Sequence, residues 1–350
     1  MTLTVSRDDL RRFVINALNS VELRETDAAN TADALVTTDA MGVFTHGTKL
    51  LSGYLKKLQG GGYQPRAEPV IERAGPGWAV IDGQSALGQV GSLYAIETAI
   101  QKARDVGIGY VGLRNTGHIG AAGYYAAVAA RQGCIATVTG NDIPSVAAPG
   151  SVGPVLGSNP IAYGVPVLDG DPILLDMATA AVAGGKVYAA HQRGEAIPDT
   201  WLIGPDGRPT TDGSLYPHKT ALAPMAGHKG YGFGLWCEIM SAVLPGGHLT
   251  WQVGSWMFDD TSRPSWHNAS FVAIDVHAIA GAEAFDQRLK SLISELHSAP
   301  TADGVDHVLL PGEREWNHYR QALAHGISLP SDVVDKLLEA AQVSGTPPTW

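Results

Sequence analysis

Gly107-Ile108-Gly109-Tyr110-Val111-Gly112 spells G-x-G-x-x-G, the glycine pattern of a dinucleotide-binding loop. In a doubly wound sheet that loop follows a strand and opens a helix, so that a pyrophosphate meets the helix N-terminus. Here the order is reversed. Residues 87–106 carry an Ala-rich amphipathic helical pattern, and residues 108–113 have the β-branched and aromatic content of a strand. The glycines leave a helix and enter a strand, so this segment is not a Rossmann phosphate loop.

Upstream, the pattern is helical. Ser6 caps a helix that begins Arg7-Asp8-Asp9 and carries Leu10, Phe13, Val14 and Leu18 on one stripe. A second helix is capped by Thr26 or Asp27 and carries Ala34, Leu35, Thr38 and Met41 as far as Gly42. A third follows Thr45, holds Leu50, Leu51, Tyr54, Leu55 and Leu58, and stops at Gly60-Gly61-Gly62. Residues 78–83 read as a short strand ending in a turn. Downstream, residues 121–131 are helical, and 134–139, 160–166 and 173–176 are strands. A small-residue helix over 178–190, turn chemistry over 197–212, a long apolar helix over 229–244 and a strand over 270–276 follow. Helices over 282–295 and 331–343 close the chain. The sum is an α/β protein with helical ends.

Composition narrows the function classes. The 350 residues are 45% apolar and 17% charged, enough for a sizeable core and unlike a disordered chain. Forty-two glycines and 21 prolines without a strict period exclude collagen and imply many turns. A net charge of −10 argues against nucleic acid or an anionic membrane surface as partner. Cys134 and Cys237 sit in apolar stretches as buried hydrophobes, too few for a disulfide framework or a cysteine zinc cluster. The N-terminus lacks the apolar core of a signal peptide, and no apolar run reaches membrane-spanning length. A soluble, cytoplasmic protein is expected.

Two histidines stand in glycine-flanked turns, Thr45-His46-Gly47 and Asn115-Thr116-Gly117-His118-Ile119-Gly120. Histidine exchanges protons near neutral pH, and glycine neighbours let a substrate approach the backbone. His118 follows the C-terminal end of a strand, where α/β sheets place ligands. Either ring could instead cap a helix or satisfy a turn. Asp176-Met177-Ala178-Thr179 sits at a strand-to-helix junction, with Asp176 at the capping position of an anion-binding helix start. Lys229, in the first turn of its helix beside His228, opposes the helix dipole unless an anion sits there.

Taken in order, these motifs resemble the malate/L-lactate/ureidoglycolate dehydrogenase-like family of NAD(P)-dependent oxidoreductases. The resemblance rests on Thr45-His46-Gly47, Asn115 to Gly120, Leu156-Gly157-Ser158-Asn159-Pro160, Leu175-Asp176-Met177-Ala178-Thr179, Pro209-Thr210-Thr211-Asp212, Gly227-His228-Lys229-Gly230-Tyr231-Gly232 and Pro311-Gly312-Glu313. It implies a non-Rossmann α/β cofactor domain with a large mixed sheet, flanked by helical N- and C-terminal segments, and usually a homodimer. The corresponding division is a helical segment over 1–75 packing with 310–350, and a cofactor and substrate domain over 76–309. The resemblance implies NAD or NADP contacts at Asn141, at Asp176, Met177, Ala178 and Thr179, at His228 and Lys229, and at Gly312, Glu313 and Arg314. The acid/base residue falls on His118 or His46.

One departure bears on substrate. Many relatives read S-H-G-x-x-R, with the Arg clamping a carboxylate, whereas this chain has Leu50 there with Lys49 beside it. Lys49, Arg114 and Thr116 are therefore the expected substrate contacts, a lysine giving a point charge rather than a bidentate fork. The expected reaction is hydride transfer between nicotinamide and C2 of a small 2-hydroxy or 2-oxo acid, without metal. The alternatives are reduction of a cyclic imine carboxylate or a diketo sugar acid, and a non-catalytic nucleotide-binding relative. The two turn histidines speak against the last. An apolar interface is expected from the tryptophans and from Leu50, Leu51, Tyr54 and Leu55.

Overall fold

The computed structural model describes residues 2–348 and 350. The chain opens with β1 (Leu3–Val5), α1 (Arg7–Asn19), α2 (Glu25–Ala40), a 3-10 turn (Thr48–Leu50) and α3 (Leu51–Gly60). Ser6 caps α1 as expected, its hydroxyl accepting the Asp9 amide at 3.0 Å. The N-cap of α2 is Arg24, two or three residues before the expected Thr26 or Asp27, and it offers no side-chain cap. Leu50, Leu51, Tyr54 and Leu55 are buried within the chain, packed with Leu10, Leu35, Val333 and Leu337. They cannot form an interface, because their partners are residues from the chain's own two ends.

The middle of the chain builds a seven-stranded sheet. Its first part is β2 (Val70–Gly75), β3 (Trp78–Asp82), α4 (Gly88–Val106), β4 (Ile108–Thr116), α5 (Ala122–Arg131) and β5 (Cys134–Gly140). After β6 (Val146–Ala147) and β7 (Pro154–Leu156) come β8 (Ile161–Val165) and β9 (Ile173–Met177). Then follow α6 (Gly184–Gln192), β10 (Leu202–Ile203), β11 (Pro209–Thr210), β12 (Ala221–Leu222) and α7 (His228–Glu238), which runs on as a π-helical turn over Ile239–Val243. β13 (His267–Asp275), α8 (Val276–Ala280), α9 (Ala282–His297), α10 (Glu313–His325), β14 (Ile327–Leu329) and α11 (Ser331–Ser344) complete the chain. The strand order is β2-β3-β4-β13-β5-β8-β9, with only the β3/β4 pair parallel, so the sheet is mixed. β6, β7, β10, β11 and β12 form a second, smaller sheet, and β1 pairs with β14, tying the chain ends together.

The glycines of 107–112 now have a packing reason. A Cβ on Gly109 would lie 2.2 Å from the Ala99 carbonyl oxygen of α4, and one on Gly112 would lie 2.6 Å from Pro245. Three residues apart on a strand, they let backbone press on both sheet faces. α4 and α5 cover one face; the α7–π segment covers the other.

Two expectations are corrected. Residues 178–183 are not helical: Thr179 and Ala181 donate backbone N–H groups to Ser158 and Ala223, and the helix starts only at Gly184. β2 is a sheet strand despite its exposure, although a division at residue 75 would leave it with the helical segment. Residues 313–325 form helix α10, not singled out in the sequence but within the expected helical C-terminal segment, anchored by buried Trp316 and Ala322.

Candidate active site

A cavity of about 1730 Å³ opens between the helical base, the sheet end formed by the C-termini of β4, β5 and β9 with the N-termini of β8 and β13, and the smaller sheet. That exceeds the roughly 300–1,000 Å³ of an ordinary small-molecule pocket, and leaves room for a dinucleotide beside a small acid. His46, His118, Asp142, Asp176, Trp256 and His267 share its wall.

His118 is gripped on several sides. Its Nδ1 lies 2.8 Å from the Tyr54 hydroxyl, and its backbone N–H donates to the Tyr63 hydroxyl at 3.1 Å. Its ring stacks on Trp256 at 4.9 Å between centroids and meets His267 edge-on at 5.7 Å. Gln89 donates to the Tyr54 oxygen at 3.3 Å, and the second lone pair of that oxygen can accept Nδ1–H, the tautomer that leaves the Nε2 lone pair open to a ligand. Burial first, then the neighbouring charges of His267 and His46, push the His118 pKa down to about 3 against the opposing pull of Asp142. The resting ring is neutral.

His46 is held differently. Thr45 Oγ1 lies 3.0 Å from its Nδ1, and its ring stands 5.9 Å from that of His118. Burial lowers its pKa, while Asp176 and Asp142 act the other way. Its turn rests on Asp39, a buried α2 carboxylate whose Oδ2 accepts the backbone N–H and hydroxyl of Thr48. Burial, only partly offset by those bonds, raises Asp39 to about 7.

Asp176 does cap a helix, but another one. Its Oδ2 accepts the Gly123 amide at 2.8 Å, in the first turn of α5, whose own N-cap residue Ala121 has no capping side chain. It is exposed on the cavity wall, where desolvation by the surrounding protein raises its pKa against the Gly123 bond and His46.

The other expected residues divide. Met177, Ala178, Gly312, Arg314, Lys49 and Asn141 line the cavity. Lys49 is committed to Asp332 at 2.6 Å, and the Asn141 side chain bonds Glu238, the His248 carbonyl and Asn268. Thr179 is buried behind the wall, donating to the Ser158 carbonyl. Arg114 and Thr116, expected at the substrate, do not line the cavity: Arg114 forks onto Glu72, and Thr116 is buried against α4. Glu313 turns away to His297 and the Leu310 amide. His228 and Lys229 are exposed, outside the cavity wall of their own chain.

Tyr54, Asp142 and His267 escaped sequence reasoning. Tyr54 reads as one more apolar-stripe residue, and His267 merely starts a strand. Asp142 gave a usable signal, since it follows a strand end just as His118 does.

Two uncapped helix starts also face the cavity. α6 begins at Gly184-Gly185 and α10 at Gly312 with Arg314, and Lys219 joins the same wall. Free N–H groups and two cations suit a pyrophosphate. Gly312, at φ +92°, is required there because a Cβ would lie 2.9 Å from the Leu174 backbone.

Comparison with known proteins agrees with this architecture. Residues 5–338 match the family model described as malate/L-lactate dehydrogenase. A malate dehydrogenase of Pyrococcus abyssi is 35% identical over 97% of this chain and 95% of its own. A ureidoglycolate dehydrogenase (NAD(+)) of Escherichia coli O157:H7 is 35% identical over 97% and 96%. The crystal structure of malate dehydrogenase from Entamoeba histolytica superposes with a TM-score of 0.92 at 28% identity, covering all of both chains. A match spanning nearly the whole chain, on a mixed sheet with a histidine at a strand end, makes this protein an oxidoreductase of the malate/L-lactate dehydrogenase family.

Proposed function

We propose that the protein transfers a hydride between NAD(H) or NADP(H) and C2 of a small 2-oxo or 2-hydroxy acid, with His118 as the proton-transfer residue. The observation that carries this reading is the His118 ring, fixed between Tyr54 and Trp256 with Nε2 unengaged on the cavity. The bound nicotinamide supplies or accepts the hydride. The chain does the rest. Neutral His118 takes the hydroxyl proton in the oxidative direction; in reduction it must first gain a proton, which an adjacent substrate carboxylate favours. Trp256 shields the ring from water. The α6 and α10 starts, with Arg314 and Lys219, hold phosphate, and His46 holds the substrate carboxylate.

The apolar outer side of α7 and its π-turn supports a homodimer. Phe233, Trp236, Ile239, Val243 and Leu244 are all exposed, while α9 buries none of its residues. Such a face is covered in stable symmetric dimers. Cys134 and Cys237, free and buried, suit a reducing, cytoplasmic compartment, and no described helix is long and apolar enough to cross a membrane.

The test is a panel of 2-oxo acids and cyclic imines with NADH and with NADPH, followed by loss of nicotinamide absorbance. Turnover of a 2-oxo acid is expected, and oxidation of neither nucleotide with any member would overturn the reading. Light scattering should give twice the chain mass, and a monomer would remove the dimer.

A further inference from the structure

Asp142 is an anion left half-used beside the proton-transfer ring. It follows β5 and Asn141, and its Oδ1 accepts the Ile143 amide at 2.8 Å and faces His267 Nε2 at 3.1 Å. Among the described residues, Oδ2 accepts no hydrogen bond, and the side chain keeps 29% of its surface, on the cavity it lines. His267 cannot swing away: it is 2% exposed and its Nδ1 lies 2.9 Å from Ser265 Oγ. Burial raises the Asp142 carboxyl, but the His267 bond and charge, His118 and the Ile143 amide outweigh it and hold the group below the usual carboxylate range. The group is ionised whenever the enzyme works near neutral pH.

The cations nearby do not offset it. Lys49 is paired with Asp332, and Arg114 with Glu72 outside the cavity. Arg314 and Lys219 enter from the first turn of α10 and from the approach to β12, elements that carry none of the residues around His118. Trp256, Met257 and Phe258 complete the wall with apolar surface. A substrate therefore meets, beyond its first carboxylate, an Asp142 oxygen in search of a donor, with Asp176 as a second carboxylate on the same wall.

Resting on the proposed hydride transfer, we infer that Asp142 sets substrate class. The enzyme takes a monoanionic 2-oxo or 2-hydroxy acid whose remainder is uncharged or cationic and carries an N–H donor, and it rejects a second carboxylate. An amide or ammonium hydrogen reaching Oδ2 completes that oxygen's bonding, whereas a carboxylate there meets like charge in a partly dry site. Specificity built on one polar contact discriminates well, because the wrong partner leaves a buried group unpaired.

Oxaloacetate and 2-oxosuccinamate test this, since they differ only by a terminal carboxylate against a carboxamide of the same shape. In the native protein kcat/KM for 2-oxosuccinamate should exceed that for oxaloacetate by about tenfold or more. Asp142→Asn should close that ratio by a similar factor, and the ratio cancels any shared effect on His118. Where neither compound turns over, their inhibition constants against the best panel substrate are compared in the same way. Oxaloacetate equal or preferred in the native protein overturns the inference. So does an unchanged ratio in Asp142→Asn, and a raised KM for the dinucleotide at constant ratio would assign Asp142 to the cofactor instead. Failure of the whole 2-oxo acid and imine panel would strike the hydride-transfer reading itself, a distinguishable result.

Discussion

The two histidine turns look alike in sequence, each a histidine beside glycine, and the structure holds them by opposite means. At His118 the ring itself is fixed, by a tyrosine hydroxyl and a stacked tryptophan. At His46 the backbone is fixed, through Thr48 on buried Asp39, while the ring has one neighbouring hydroxyl. A fixed ring suits proton transfer, which depends on angle and distance. A ring with freedom suits binding. The glycines differ from expectation as well: they serve the protein's own close packing rather than substrate approach. A Cβ on Gly47 would lie 1.8 Å from Asp39 Oδ1, and one on Gly117 would lie 2.9 Å from the Tyr63 ring.

The largest effect should separate the two rings. His118→Asn is expected to lower kcat by about 10²-fold or more while leaving nucleotide affinity near that of the parent. His46→Asn should raise substrate KM at least as clearly as it lowers kcat, the mark of lost ground-state binding. Steady-state kinetics of both variants check the pair. Full turnover in His118→Asn with loss in His46→Asn would reverse the roles; parental rates in both would leave neither as the proton carrier.

The pH dependence sharpens the same contrast. With the free-enzyme His118 pKa near 3, reduction needs a form that becomes scarcer as pH rises, so reductive kcat/KM should fall about tenfold per unit between pH 5 and 8. Oxidative kcat/KM, which needs the neutral ring, should be insensitive to His118 over that range. A reductive plateau breaking near pH 6.5 would mean an unperturbed histidine, and the grip of Tyr54 and Trp256 would not be what sets the ring's state.

The contrast also shows what sequence carries and what it does not. The central strands are legible because their β-branched runs are bounded by turns, and the reversed order around 107–112 correctly excludes a Rossmann loop. β2 is not legible, because Val70 and Ile71 are exposed on an edge strand and little alternation survives. α10 hides behind Pro311-Gly312 and a charged first turn. Both turn histidines can be picked out as local patterns, yet the Tyr54 partner of His118 lies 64 residues away, and only folding brings it there. The same limit misplaces the interface. Leu51 on α3 and Ile239 after α7 are alike as residues, but the first meets α11 in the core and the second faces outward. Periodicity says that a face is apolar without saying what covers it.

The smallest effect expected, and the most direct test of backbone against ring, comes from the glycines. Gly47 has φ −92° and ψ −144°, outside the left-handed region, so Gly47→Ala acts chiefly through space. Its methyl would strike the Asp39 carboxylate, which Thr48 and the surrounding core hold in place, so the turn must lift. Overpacking of this kind costs about 1–3 kcal/mol, readable as an earlier denaturant midpoint at constant slope. Because the lifted turn carries His46, substrate KM should rise several-fold with kcat little changed. Gly117→Ala, which presses on Tyr63 and the amide of Gly88, displaces the His118 backbone and should instead lower kcat. Equal kinetic profiles in the two alanine variants would mean that both turns do the same work, and the division between a gripped ring and a gripped backbone would not stand.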